Sequence, residues 1–163
     1  MMSLITTIDV EVRDLDALEQ ACRSLGLELR RGQKKYRWYG ESVGDSPLPR
    51  GVAVSDLGKC EHAVSIPGDK TVYEIGLVLL ANGSYQLHYD EFNGGYGLQA
   101  KVGRKAGLLL QRYGLNAAAN QARKQGMTVR SETVLPDGRI RLVCEPRQQF
   151  AQAGGGQFVG SWF

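Results

Sequence analysis

Chemistry-bearing residues are scarce in this chain of 163 residues, which holds three cysteines and two histidines. Cys22, Cys60 and Cys144 lie far apart, leave one without a mate and form no C-x-x-C pair. That usage excludes a disulfide scaffold and points to a reducing compartment. No Walker sequence occurs, so the usual signal of phosphate cradling is missing. Long apolar runs are missing too. The longest, Ile75 to Ala81, is interrupted by Gly76 and falls far short of the roughly 20 residues that cross a bilayer. The opening MMSLITTIDVEVRD alternates polar and apolar residues and lacks the charged start and apolar stretch of a signal peptide. Charge is weak: 20 Lys and Arg against 17 Asp and Glu give +3, which permits a polyanion partner without demanding one. The expectation is a soluble cytoplasmic protein with no membrane contact.

What is present reads as one globular domain. Hydrophobic residues make up 42% and charged residues 23%, and a chain this long can bury roughly 70% of the surface it exposes unfolded. Residues 5–12 alternate with period two and read as a strand. Asp16 and Glu19 read as a capping box opening a helix that Gly26 ends. A second strand is expected from Leu27 into the basic segment 30–39. Residues 40–59 carry several prolines and glycines and read as a long loop or insertion. Residues 72–90 form a hairpin at Asn82-Gly83, where both turn positions are expected at positive φ. A second hairpin, 127–145, turns at Pro136-Asp137-Gly138 with Ile140, Leu142 and Cys144 inward. Between the hairpins the spacing of Leu98, Val102, Ala106, Leu110, Tyr113 and Ala117 predicts one principal helix over 98–125, with Gly114 as the point of a kink or split. The predicted class is α+β, a mainly antiparallel sheet with two helices packed on one face, in the order βαβ-βββ-αββ. Residues 1–146 form the domain and 147–163 a Gly-rich aromatic tail.

These elements and motifs resemble the hypothetical chloroplast reading frame thirty-five family, a domain of unknown function with bacterial and phage members. The resemblance is carried by the opening strand with Arg13-Asp14-Leu15 and its helix, and by Tyr73-Glu74-Ile75-Gly76. It continues through Leu110-Gln111-Arg112-Tyr113, Ala117 to Gly126, and Asp137-Gly138-Arg139-Ile140-Arg141-Leu142-Val143, covering most of 1–145. That family has no established enzyme activity for the resemblance to carry over. The genes of that family tend to lie near those of AAA+ ATPases or small ferredoxin-like proteins, which implies an accessory or adaptor role. The 40–59 loop and the aromatic tail depart from the family's pattern.

The candidates for chemistry each have a plainer reading beside them. Cys60 with His62, and His88 with Asp90, are spaced to share a strand face, but a zinc site needs about four ligands. By parity the first pair points inward and the second outward, so no metal site is expected. Cys60 beside His62 is the one local pairing of a nucleophile with a base, and strand neighbours of this kind usually sit side by side. Gly95-Tyr96-Gly97-Leu98-Gln99-Ala100 matches G-x-G-x-x-A but follows a hairpin strand, outside the βαβ context that gives the match meaning. An anion at that helix start is the reading left open. Asp90 and Glu91 are adjacent acids expected to face opposite ways in solvent. No catalytic residue and no cofactor are assigned.

Two surfaces carry the binding expectations. Phe158, Trp162 and Phe163 in the tail would leave large aromatic area in water unless docked, either on the parent domain or on a partner or second copy. Arg30, Arg31, Lys34, Lys35 and Arg37 alternate with Tyr36 and Trp38, the mixture of cations and stacking rings that single-stranded nucleic acids select. On a strand that alternation places the rings in the core and the cations in water. The leading expectation is a non-enzymatic accessory or interaction protein, an adaptor of an AAA+ ATPase-type assembly. The alternative is a single-stranded nucleic-acid binder using 30–39.

Overall fold

The computed structural model describes residues 5–40, 48–49, 51–136, 140–147 and 158–161. The class is α+β with antiparallel sheets. The chain divides into two compact units, residues 1–110 and 111–163.

The first unit is built on a five-stranded sheet of β1 (Ile5–Val12), β2 (Glu28–Arg31), β3 (His62–Ser65), β4 (Ile75–Leu79) and β5 (Tyr85–Asp90), in the order β1-β5-β4-β3-β2. Every neighbouring pair is antiparallel. Helix α1 (Leu15–Ser24) joins β1 to β2 across the whole sheet. Its cap is Asp14, two residues ahead of the expected Asp16: Asp14 is extended, and its carboxylate accepts the Ala17 amide at 3.0 Å. Asp16 instead pairs with Arg31. The stop at Gly26 is as expected. With φ of 73°, it lets the Leu27 amide donate to Cys22 and the Gly26 amide to Arg23, the paired bonds of a Schellman ending.

The hairpin joining β4 to β5 lies where it was expected, but the turn differs. Only Gly83 has positive φ. The Gly83 amide donates to Leu80 and the Leu80 amide to Ser84, while the Asn82 side chain accepts the Ser84 amide and hydroxyl. This is a turn of normal hand closed by one left-handed glycine. Strand β2 ends at Arg31 rather than running through 39, because Gly32 turns the chain with φ of 83°.

Paired residues share a face, so the register sorts the sheet. Leu29, Val64, Ile75, Leu77 and Leu87 lie on one face and are all buried. Arg31, on the same face, reaches Asp16 and Glu19 of α1. Ala63, Gly76, Val78, His88 and Asp90 lie on the other. That second face is buried as well. The segment 33–39 crosses it as a strap, with Tyr36 seated on Gly76 and Trp38 on Gly58. Tyr36, Cys60 and Ala63 form a core cluster, with Trp38 and Val78 packed against it.

The expected single helix over 98–125 is broken. Helix α2 (Leu98–Val102) stops at Gly103, and α3 (Gly107–Lys124) starts afresh. Between them Gly103, Lys105 and Ala106 have φ of 82°, 50° and 56°, values that no right-handed helix accommodates. At Gly114, the expected kink, α3 runs on. There are therefore three α-helices among the described residues, not two.

In the second unit α3 faces a three-stranded sheet of β6 (Met127–Val134), β7 (Ile140–Pro146) and β8 (Phe158–Ser161). Leu115, Ala122, Leu142 and Cys144 form its core, with Ala118, Met127 and Val129 against them. Leu142 and Cys144 are inward as expected; the turn 137–139 lies outside the described residues, and so does the side chain of Ile140. No helix among the described residues is long and apolar enough to cross a membrane.

The strap's seat gives a direct test. A methyl group on Gly76 would overlap Tyr36 Cδ1, so Gly76→Ala should cost about 1–3 kcal/mol, the usual range for overpacking. In a Tyr36→Ala background the same change should cost far less. Urea midpoints of the four proteins of this cycle check the coupling, and additive losses would contradict it.

Candidate functional site

The strap is fixed by two carboxylates that lie almost wholly out of water. Glu74 precedes β4 and is 3% exposed; Asp90 ends β5 and is fully buried. Glu74 Oε1 accepts the Arg37 amide at 2.8 Å and the Gln33 side-chain amide at 3.1 Å, and the Glu74 amide donates to the Arg37 carbonyl at 2.9 Å. Asp90 Oδ2 accepts the Tyr39 amide at 3.1 Å, while Oδ1 accepts the Phe92 amide at 3.0 Å. Backbone amides of an irregular segment have no ladder to join, and buried ones need acceptors. The acids supply them.

The loop closing the strap's outer side returns at 51–60. Tyr36 donates its amide to Gly58 and Cys60 donates its amide to Lys34, and Lys35 and Lys59 form an isolated bridge. Where this return meets the sheet there is a hollow of about 210 Å³. Val52, Val78 and Leu80 line it with Cys60, Gln86 and His88, and Asp56 and Lys59 also border it.

Cys60 and His88 border this hollow, while Cys22 lies on α1 and His62 on the opposite sheet face. The Cys60 thiol donates to the Gln33 carbonyl at 3.2 Å, and burial, with help from Glu74 and Glu61, raises its pKa to about 11. Burial raises Cys22 to about 12. A thiol so protonated is a poor nucleophile. His88 is 4% exposed. Its Nε2 lies 2.9 Å from Gln86 Oε1, which places the proton on that nitrogen. Burial lowers its pKa, and Asp56 offsets this in part. His62 Nδ1 accepts the Gly32 amide at 2.9 Å, so its proton sits on Nε2, 3.3 Å from the Tyr85 hydroxyl. Burial lowers its pKa too, aided by Lys34 and Arg31.

Several expectations change here. Cys60 and His62 do not share a face: β3 begins at His62, and Cys60 packs with Ala63 on the opposite side. His88 and Asp90 share a face as expected, but it points inward beneath the strap rather than to solvent. Asp90 is a buried acceptor of two amides rather than a solvated acid beside Glu91. No group of three potential metal ligands gathers among the described residues. Ahead of Leu98 the G-x-G-x-x-A segment takes left-handed angles, and α2 has five residues, too few for an appreciable dipole.

The basic-aromatic segment is largely committed to the fold. Tyr36 is 3% exposed, its pKa pushed to about 12 by burial, and Trp38 is half-buried. Arg30 pairs with Glu28 at 3.5 Å, Arg31 with Asp16 at 2.7 Å and Lys34 with Glu61 at 2.8 Å. Arg37 donates to the carbonyls of Val72 and Asp69, and Lys35 is exposed. In the tail, Phe158–Ser161 joins its own chain as β8, with Phe158 opposite Cys144; Trp162 and Phe163 lie outside the described residues. The residues whose part in the strap sequence reasoning missed are Glu74, Gly76 and Asp90. A glycine within an alternating strand, where a second backbone or ring comes close, was the available signal.

An α+β body whose sheet is covered on both faces is thus the class of protein defined by this geometry. The chain belongs to a family of proteins of unknown function, DUF1257, which it matches over residues 50–143, a stretch that includes Gly58, Glu74, Gly76 and Asp90. That agrees with the unknown-function domain the sequence resembles. No curated protein and no solved structure matches it.

His88 beneath the strap and His62 on the opposite face give the first unit a pH dependence. Unfolded, they take up protons near pH 6.5; folded, burial holds both below that. Stability is therefore full above about pH 6.5 and falls as pH drops from there towards the folded values. The urea midpoint should be lower at about pH 5.5 than at about pH 7.5, and the difference should shrink in His88→Gln. Equal midpoints in the parent protein would contradict the assignment.

Proposed function

We infer that the protein is a non-enzymatic accessory protein of the cytoplasm that works by binding another protein, in the manner of an adaptor of an AAA+ ATPase-type assembly. The observation that carries this reading is the use made of the acids, thiols and imidazoles of the first unit. Glu74 and Asp90 hold backbone amides, the thiols are driven towards protonation, and each histidine serves a structural hydrogen bond. A catalytic centre arranges such groups in the opposite sense, with a lowered thiol pKa or a base poised near neutrality.

Residues 30–39 support protein contact over the nucleic-acid alternative. Stacking needs open aromatic faces, and Tyr36 is enclosed while Trp38 lies on Gly58. Four of the five cations already have carboxylate or carbonyl partners. The pairing of Phe158–Ser161 with β7 supports docking of that part of the tail within the chain, leaving Trp162 and Phe163 as its candidates for contact.

Affinity capture of the full-length protein from its native host, with and without nuclease, tests the reading. A protein partner retained after nuclease is the expected result. Capture lost on nuclease treatment would transfer the reading to nucleic acid, and turnover of a small molecule by the purified protein would contradict it.

A further inference from the structure

Within the first unit, residues 93–108 present groups that the fold itself does not use. Asn93, Gly94, Gly95 and Tyr96 take successive left-handed angles, with φ of 51°, 63°, 65° and 55°. Two of the four are not glycines, and each of those carries backbone strain. The turn is held from beneath. Asp90 accepts the Phe92 amide, Glu91 accepts the Gly94 amide, and Gly95 accepts the Tyr73 amide at 2.9 Å. The result is a tyrosine ring kept in water: Tyr96 is 40% exposed, propped edge-on by Tyr73 at 5.0 Å and flanked by Phe92 at 6.2 Å.

The second left-handed break does the same for a leucine. Leu108 stands against Gly103, where a methyl group would lie 2.9 Å from Leu108 Cγ, and it is 48% exposed. Between the two apolar side chains come Lys101, Arg104 and Lys105, all exposed. They are in ion pairs with no other described residue, and no acid occurs anywhere in 92–110. Backbone strain retained by a well-held turn, together with apolar groups exposed among unpaired cations, marks a contact surface.

The geometry points to residues 93–108 as the docking surface for an acidic segment of a partner protein that carries apolar side chains between its acids, an assignment resting on the protein-binding reading above. Charge complementarity selects the acidic partner. The apolar pair selects a polypeptide over single-stranded nucleic acid: bases need successive open rings, whereas here a single exposed ring is flanked by Tyr73 and Phe92 and the second anchor is aliphatic.

Fluorescence anisotropy with a short synthetic peptide alternating Glu and Leu tests the assignment on the full-length protein, with Lys–Leu and Glu–Ser peptides and oligo-dT as comparators. The Glu–Leu peptide should bind best, and its binding should weaken as salt rises. The triple variant Lys101→Gln, Arg104→Gln, Lys105→Asn and the single variant Leu108→Ser should each weaken it about tenfold or more, while Lys34→Gln leaves it unchanged. Amide NMR shifts of the unsubstituted protein should cluster in 93–108 when the peptide is added, a readout independent of how the variants fold. Unaltered affinity in both variants, shifts confined to other segments, or tighter binding of oligo-dT would each overturn the assignment. If a nuclease-resistant partner from the host is captured equally by the triple variant, the surface assignment falls while the protein-binding reading stands.

Discussion

Glu74 and Asp90 are carboxylates with almost no access to water, and the covered face of the sheet depends on them. An ionised acid is costly to bury unless its oxygens are met by donors. Here the donors are main-chain amides of the strap, at Arg37 and Tyr39, and of the turn after β5, at Phe92. The dependence is mutual. Without the acids those amides would lack acceptors in a place where no ladder reaches them, and without the amides the acids could not stay where they are. Asp90 joins two segments in this way, the strap through one oxygen and the left-handed turn through the other.

Much else on that face follows from the strap's position. Tyr36 can lie against the sheet because Gly76 has no side chain, and Trp38 can lie against the returning loop because Gly58 has none. Once the strap is in place, Cys60 and His88 are enclosed. Their proton affinities shift in the sense burial dictates, up for the thiol and down for the imidazole. At the surface, the turn anchored by Asp90 keeps a tyrosine exposed.

The local elements were legible in the sequence because local rules govern them. The period-two runs at 5–12 and 75–90, the glycine stop at Gly26 and the alternation around Leu142 and Cys144 all require only neighbouring residues. Covering the second face is a long-range event that periodicity does not register. Strand alternation reads His88 and Asp90 as facing water, which holds for a sheet with one free face; the strap arrives from fifty residues upstream in the chain and reverses the outcome, with Tyr39 meeting Asp90. The long helix failed for a different reason. The apolar spacing of 98–113 persists across Gly103, but three residues there take left-handed angles, and spacing carries no information about φ. The cap moved from Asp16 to Asp14 because both are good caps and only the entering chain direction chooses between them. Among the site residues, the cations at 30–37 were read correctly as lying outside the core, while their ion pairs could not be read from spacing at all.

Native-state hydrogen exchange measures the anchoring most directly. The Arg37 and Tyr39 amides, which lie outside any regular strand, should exchange as slowly as core amides of β4 and β5. Arg37 should lose that protection selectively in Glu74→Gln, and Tyr39 in Asp90→Asn. Rapid exchange of both amides in the unsubstituted protein, at the rate of an exposed loop, would contradict the account.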